Sequence, residues 1–197
     1  MFDTKPDKYE DLLERVKQGP LTTHELDAMA KEIQKPQPDT DRYILLYLLG
    51  RGGNAAYKSI VEPYLEGPDD MLARMALWVL CWYWDLTSEY IDHVIRFMRG
   101  VYWDELAQGR LAAIDIAGDY LAKSRKRQLL WELMTICEDK GEDPTIRAHA
   151  YSALATALGL GLESQALPFH EEGFNVDAHI DPAVLAEVKE RIATQGG

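Results

Sequence analysis

The sequence predicts an all-α protein, a right-handed α-solenoid in which helix pairs stack side by side. Three observations predict it. A helical motif recurs along the chain, each copy is followed by a second amphipathic stretch, and no segment shows β-like alternation or an Asn-Gly hairpin turn. With 47% apolar and 27% charged residues, the 197-residue chain belongs to the ordinary globular class and can bury a substantial core as one domain.

The clearest motif is Asp143-Pro144-Thr145-Ile146-Arg147 running on to Gly159. Asp143 can cap a helix whose first position is Pro144, where the missing N–H costs nothing. Ile146, Ala150, Ala153, Leu154 and Ala157 then follow at helical spacing. The alanines let a neighbouring helix approach closely, and Gly159 is placed to end the helix.

The same skeleton recurs upstream. Asp39 precedes Arg42, Leu45 and Leu48; Asp70 precedes Arg74, Leu77 and Leu80; Arg110 precedes Ala113 and Ala117. The arginines at 42, 74, 110 and 147 stand roughly 35 residues apart, near the ~40 of a two-helix repeat. Second helices are expected over 54–66, 88–99 and 125–138. Residues 39–159 thus form the repeats, about four helix pairs in all.

The 143–159 segment resembles the first helix of a short, lyase-type HEAT repeat, and the resemblance extends loosely over 39–159. It implies a HEAT-like solenoid, most often a binding scaffold. It also admits bilin-lyase-like proteins and a DNA-glycosylase branch, because fold alone does not choose a function.

Residues 1–38 are expected to cap the stack with helices over 6–18 and 22–34, the second started by Thr22 or Thr23 with Glu25 behind it. Pro36 and Pro38 break the chain before the repeats. Residues 160–197 read as an irregular acidic segment followed by a closing helix from about Pro182 to Thr194.

A net charge of −12 opposes a nucleic-acid partner and favours a basic protein surface. Residues 138–197, with 11 acids against 4 bases, are the acidic end. The longest apolar run, Met75–Trp84, is too short to span a bilayer, and no secretory signal opens the chain, so no membrane role is expected. Cys81 and Cys137, far apart and both on expected helices, suit a reducing cytoplasm.

Within Met75–Trp84 the helix is apolar almost all round and reads as the buried centre of the stack. Trp78 and Trp82 share a face, and inter-repeat packing is favoured over a pocket. In the 125–138 helix the apolar stripe is Leu129, Leu130, Leu133, Ile136 and Cys137. Trp131 falls on the opposite side with Arg127, Met134 and Glu138, where a solenoid's second helix faces its concave surface. On 88–99 the core stripe is Ile91, Val94, Ile95 and Met98, leaving Asp92, His93 and Arg96 outward and Tyr90 and Phe97 on the flank. Trp131, Arg127, Met134, Glu138, His93, Arg96 and Asp92 are therefore the candidate partner-binding residues.

The basic run Lys123, Arg125, Lys126 and Arg127 reads as a solvated turn. His170, Glu171, Glu172, Asp177, His179 and Asp181 match no metal-ligand spacing, and no nucleophile or phosphate-loop motif is present, so no metal, cofactor or catalytic residue is expected. The expected role is a non-enzymatic scaffold for a basic partner, for instance an immunity protein neutralising a bacterial toxin. The alternative is a carrier or lyase-like enzyme holding an aromatic or tetrapyrrole compound in the Trp78/Trp82 groove.

Overall fold

In a computed structural model describing residues 9–160 and 174–194, Thr22, Asp41, Asp69 and Asp143 each cap a helix where a short polar side chain precedes an apolar period. Among the described residues there are ten α-helices and no strand, and no helix is long and apolar enough to cross a membrane. The chain folds as two compact units, one of residues 1–90 with 103–105 and the other of 91–102 with 106–197.

The first unit is built around α3 (Arg42–Gly52). Before it come α1 (Glu10–Gln18), which begins after Tyr9 rather than at the expected residue 6, and α2 (Thr23–Gln34). Thr22 and Glu25 form a reciprocal capping box at α2, as their spacing predicts. The α3 cap is Asp41 rather than Asp39, its carboxylate accepting from the Ile44 N–H at 3.0 Å. Both α1 and α2 pack on α3, and α5 (Asp70–Leu77) packs on it as well. Leu45, Leu46, Leu48 and Leu49 are consequently all fully buried. Each stabilises the unit by about 1.5–3 kcal/mol relative to exposure. The expected helix over 54–66 is broken into a turn at 55–57, α4 (Lys58–Val61) and a 3₁₀ stretch at 62–65. Pro63, which has no N–H to donate, sits in that last turn.

The helix begun by α5 does not continue as an α-helix. Trp78–Tyr83 is π-helical, with the Trp84 N–H reaching back five residues to the Val79 carbonyl. The wider turn makes every later side chain lag the α-helical phase. It is held by packing against α3 at Gly50, where an added Cβ would lie 2.6 Å from the Val79 side chain. The Trp84 indole N–H donates to the Gly50 carbonyl at 3.1 Å, and the Thr87 hydroxyl donates to the Cys81 carbonyl, also at 3.1 Å. Asp85, at φ 54°, then ends the helix in the left-handed region.

The second unit contains α6 (Ile91–Met98), α7 (Gln108–Lys123), α8 (Arg127–Glu138), α9 (Pro144–Ala157) and α10 (Pro182–Thr194). Here α7 packs broadly on α9, while α8 packs on α6, α7, α9 and α10. Asp143 caps α9 through the Thr145 and Ile146 N–H groups, and Gly159 at φ 73° ends it. The five apolar positions predicted for its inner face are buried.

Two of the periodic arginines do the same thing. Arg110 donates through Nε to the Met98 carbonyl at 2.7 Å and grips Glu142 with both terminal nitrogens at 3.0 and 2.5 Å. Arg147 donates through Nε to the Cys137 carbonyl at 3.1 Å and pairs with Asp177 at 2.5 Å. Each satisfies a carbonyl in the last turn of the preceding helix and reaches an acid one repeat length further on. Such a fork suits the planar guanidinium.

Candidate interaction surfaces

Five residues of α8 are exposed on one stripe: Arg127, Gln128, Trp131, Thr135 and Glu138. The buried side includes the whole predicted stripe of Leu129, Leu130, Leu133, Ile136 and Cys137. Trp131 is 54% exposed. It forms, with Arg127 and Gln128, an open recess of about 470 Å³ whose lining is almost wholly apolar. The Thr135 hydroxyl is turned onto the helix, donating to the Trp131 carbonyl at 2.9 Å. Glu138 pairs with Lys189 of α10 at 2.7 Å.

Met134 is a correction. Expected beside Trp131 on the outward face, it is only 5% exposed. An isolated amphipathic helix has one buried face, but α8 is flanked by four helices and its buried arc is correspondingly wider. Glu132 is buried for the same reason, and it takes both Nε (3.1 Å) and Nη2 of Arg99 just beyond α6.

On α6 the core stripe is buried as expected. Asp92 is exposed and His93 and Arg96 are half-buried, with the Arg96 guanidinium 5.3 Å from the Phe97 ring centre. Phe97 itself, expected on the flank, is fully buried. The bridge between α6 and α8 is Arg99 with Glu132, a pair that the helical phase did not single out.

No family model, curated protein or solved structure matches the chain.

Lys123, Arg125, Lys126 and Arg127 are all exposed, so the end of α8 next to Trp131 is locally positive in an acidic chain. Among the acidic-segment candidates, Asp177 is held by Arg147 and Lys140, which keep its carboxyl below the usual range. The His179 ring stacks on Phe174, and Asp181 accepts the Ala183 N–H at the start of α10. His170, Glu171 and Glu172 lie outside the described residues. Among the described residues no group of three His, Cys, Asp or Glu side chains gathers as a metal would require. Burial pushes the Cys81 thiol to about 12 and the Cys137 thiol to about 11, so neither is an activated nucleophile.

The buried-centre reading of the aromatic helix needs correcting at Trp82, which is 48% exposed. It lies four residues after Trp78 on the same side of the helix, and the two rings meet edge-to-face at 5.0 Å. Trp84 is buried.

Proposed function

We propose that the chain is a non-enzymatic protein-binding module, a right-handed HEAT-like solenoid of stacked helix pairs whose α8 face engages a partner. The observation that carries this reading is Trp131. A large, half-exposed indole stands over an apolar recess on a helix whose core stripe lies on the other side. Tryptophan is enriched at the centres of interfaces and costs more than most residues when truncated there. The repeated bonding of Arg110 and Arg147 supports the solenoid reading.

The partner is proposed to be a protein with a basic surface, on the strength of the −12 net charge. Neutralising a basic bacterial toxin inside the cytoplasm is one form of that role. Asp92, His93 and Arg96 of α6, with Arg127, Gln128 and Glu138, are the proposed surroundings of Trp131.

The test is a photo-crosslinking residue at Gln128, used in the native host to identify the partner, followed by paired measurements on Trp131→Ala. The thermal midpoint should stay within a degree or so, while affinity for that partner should fall about thirtyfold. A large fall in midpoint would show that Trp131 is structural. Unchanged affinity would remove α8 from the interface.

A carrier function remains the second reading because Trp82 is exposed against Trp78. A coloured or ultraviolet-absorbing compound that co-purifies with wild type and is lost in Trp82→Ala would establish it.

A further inference from the structure

A second surface, wholly within the first unit, is richer in interface-type side chains than α8. Along α3, Tyr43, Tyr47 and Arg51 recur every four residues. Along α5 and its π-turn, Met71, Arg74, Trp78 and Trp82 do nearly the same. The two rows meet. The Arg74 guanidinium lies 3.5 Å from the Tyr43 hydroxyl, the Tyr83 ring stands edge-on to Tyr47 at 6.4 Å, and Arg51 sits 5.7 Å over Tyr83. All of these side chains are exposed or half-buried, Met71 at 46%.

At the end where α3 and α5 begin, this face runs into an open groove of about 670 Å³. Tyr43 and Met71 belong to both the face and the groove. The groove adds Pro36, Pro38 and Leu72 as apolar walls and Asp39, Asp41 and Asp69 as carboxylates, against the single cation Arg42. Asp41 and Asp69 each use one oxygen to cap a helix, accepting from Ile44 and Leu72 N–H groups at 3.0 Å. Neither has an ion-pair partner among the described residues. A mostly polar groove in which Pro36, Pro38 and Leu72 stand among the carboxylates matches a lysine or arginine side chain, whose stem is aliphatic and whose tip is charged.

We infer that this face of the first unit docks a basic protein segment, its aromatic or aliphatic anchor against Trp78, Trp82 and Tyr47 and its cationic residues in the Asp41–Asp69 groove. The inference adopts the partner charge proposed above but not the α8 face. It accounts for an acidic protein whose exposed Trp131 has cations for neighbours: the basic portion of a partner is met on a different surface.

The test uses the full chain and a displayed library of short random peptides. Selection on wild type is followed by affinity measurements on Asp41→Asn with Asp69→Asn, on Trp82→Ala and on Trp131→Ala. Asparagine caps helices as well as aspartate, so the double variant loses charge while keeping both helix starts. Enriched peptides should pair lysine or arginine with an aromatic or aliphatic residue. Their affinity should drop about tenfold or more in the double variant and in Trp82→Ala. The double variant's loss should shrink as salt rises. Trp131→Ala should bind them like wild type. Acidic or uncharged winners, equal binding by the double variant, or no enrichment at all would overturn the inference. A loss confined to Trp131→Ala would overturn it while supporting the α8 reading. Should Trp82→Ala unfold, the asparagine pair still decides.

Discussion

Trp82 and Trp84 are two positions apart in one apolar run and meet opposite environments. Trp84 is buried, and its indole N–H satisfies the Gly50 carbonyl. Trp82 is half exposed to solvent, with the Trp78 ring beside it. Truncating Trp84 to alanine should therefore cost about 3–5 kcal/mol, from the cavity and the orphaned carbonyl together. Trp82→Ala should cost about 1 kcal/mol or less, the worth of one exposed aromatic pair. Urea unfolding of the two variants checks this; equal losses would mean that the two indoles do not differ in burial as described. Which of these indoles is exposed is hidden in the sequence. Ten consecutive apolar residues define no direction, and a π-turn carries no residue signature that α-helical spacing can read. Trp131 was legible because polar neighbours on its own helix supplied a contrast.

At the scale of single elements, α9 is the best-read part of the chain, and its packing on α7 shows why small residues were needed. A Cβ placed on Gly118 of α7 would lie 2.8 Å from the Ala153 Cα and 2.9 Å from its Cβ. These are backbone-close contacts that no rotamer change can relieve. Ala153→Leu should overpack the pair and cost about 1–3 kcal/mol. Gly118→Ala should also destabilise, although alanine is intrinsically the better helix former by about 1 kcal/mol. Denaturation midpoints of both variants test the register, and an unchanged midpoint for either would mean that the helices do not meet at these residues. The cap at Asp143, Pro144 at the first position and Gly159 at the end were readable because each is a local backbone requirement. Met134 and the broken 54–66 helix were not. Burial of Met134 depends on neighbours that a single helix cannot announce, and in 54–66 the amphipathic spacing masks the one local sign of a break, Pro63.

Across the whole molecule, the arginine period was visible in the sequence but its chemistry was not, since the acids that Arg110 and Arg147 reach are a repeat length away. Such long-range pairs make stability depend on pH. Asp177 is held below its ordinary carboxyl range first by its hydrogen bond from Arg147 and then by Lys140. Glu25, at the α2 capping box, is held down to about 2 by Arg15 and by Thr22. A carboxyl whose folded value is depressed binds its proton more readily in the unfolded chain. Its contribution is thus complete above the unfolded value of about 4 and disappears as pH falls through the folded one. Wild type should keep its helical circular dichroism and its midpoint from neutrality down to about pH 5, then lose stability steadily toward pH 2. Asp177→Asn combined with Glu25→Gln should be less stable than wild type at pH 7, and the gap should narrow between about pH 4 and pH 2, where wild type protonates the same two groups. Asp177 is exposed and Glu25 half-buried, so high salt should shrink the neutral-pH gap as well. Thermal midpoints of the two proteins across that range, at low and high salt, give the answer. A gap that stayed constant down to pH 2 would show that these carboxylates act through shape rather than charge.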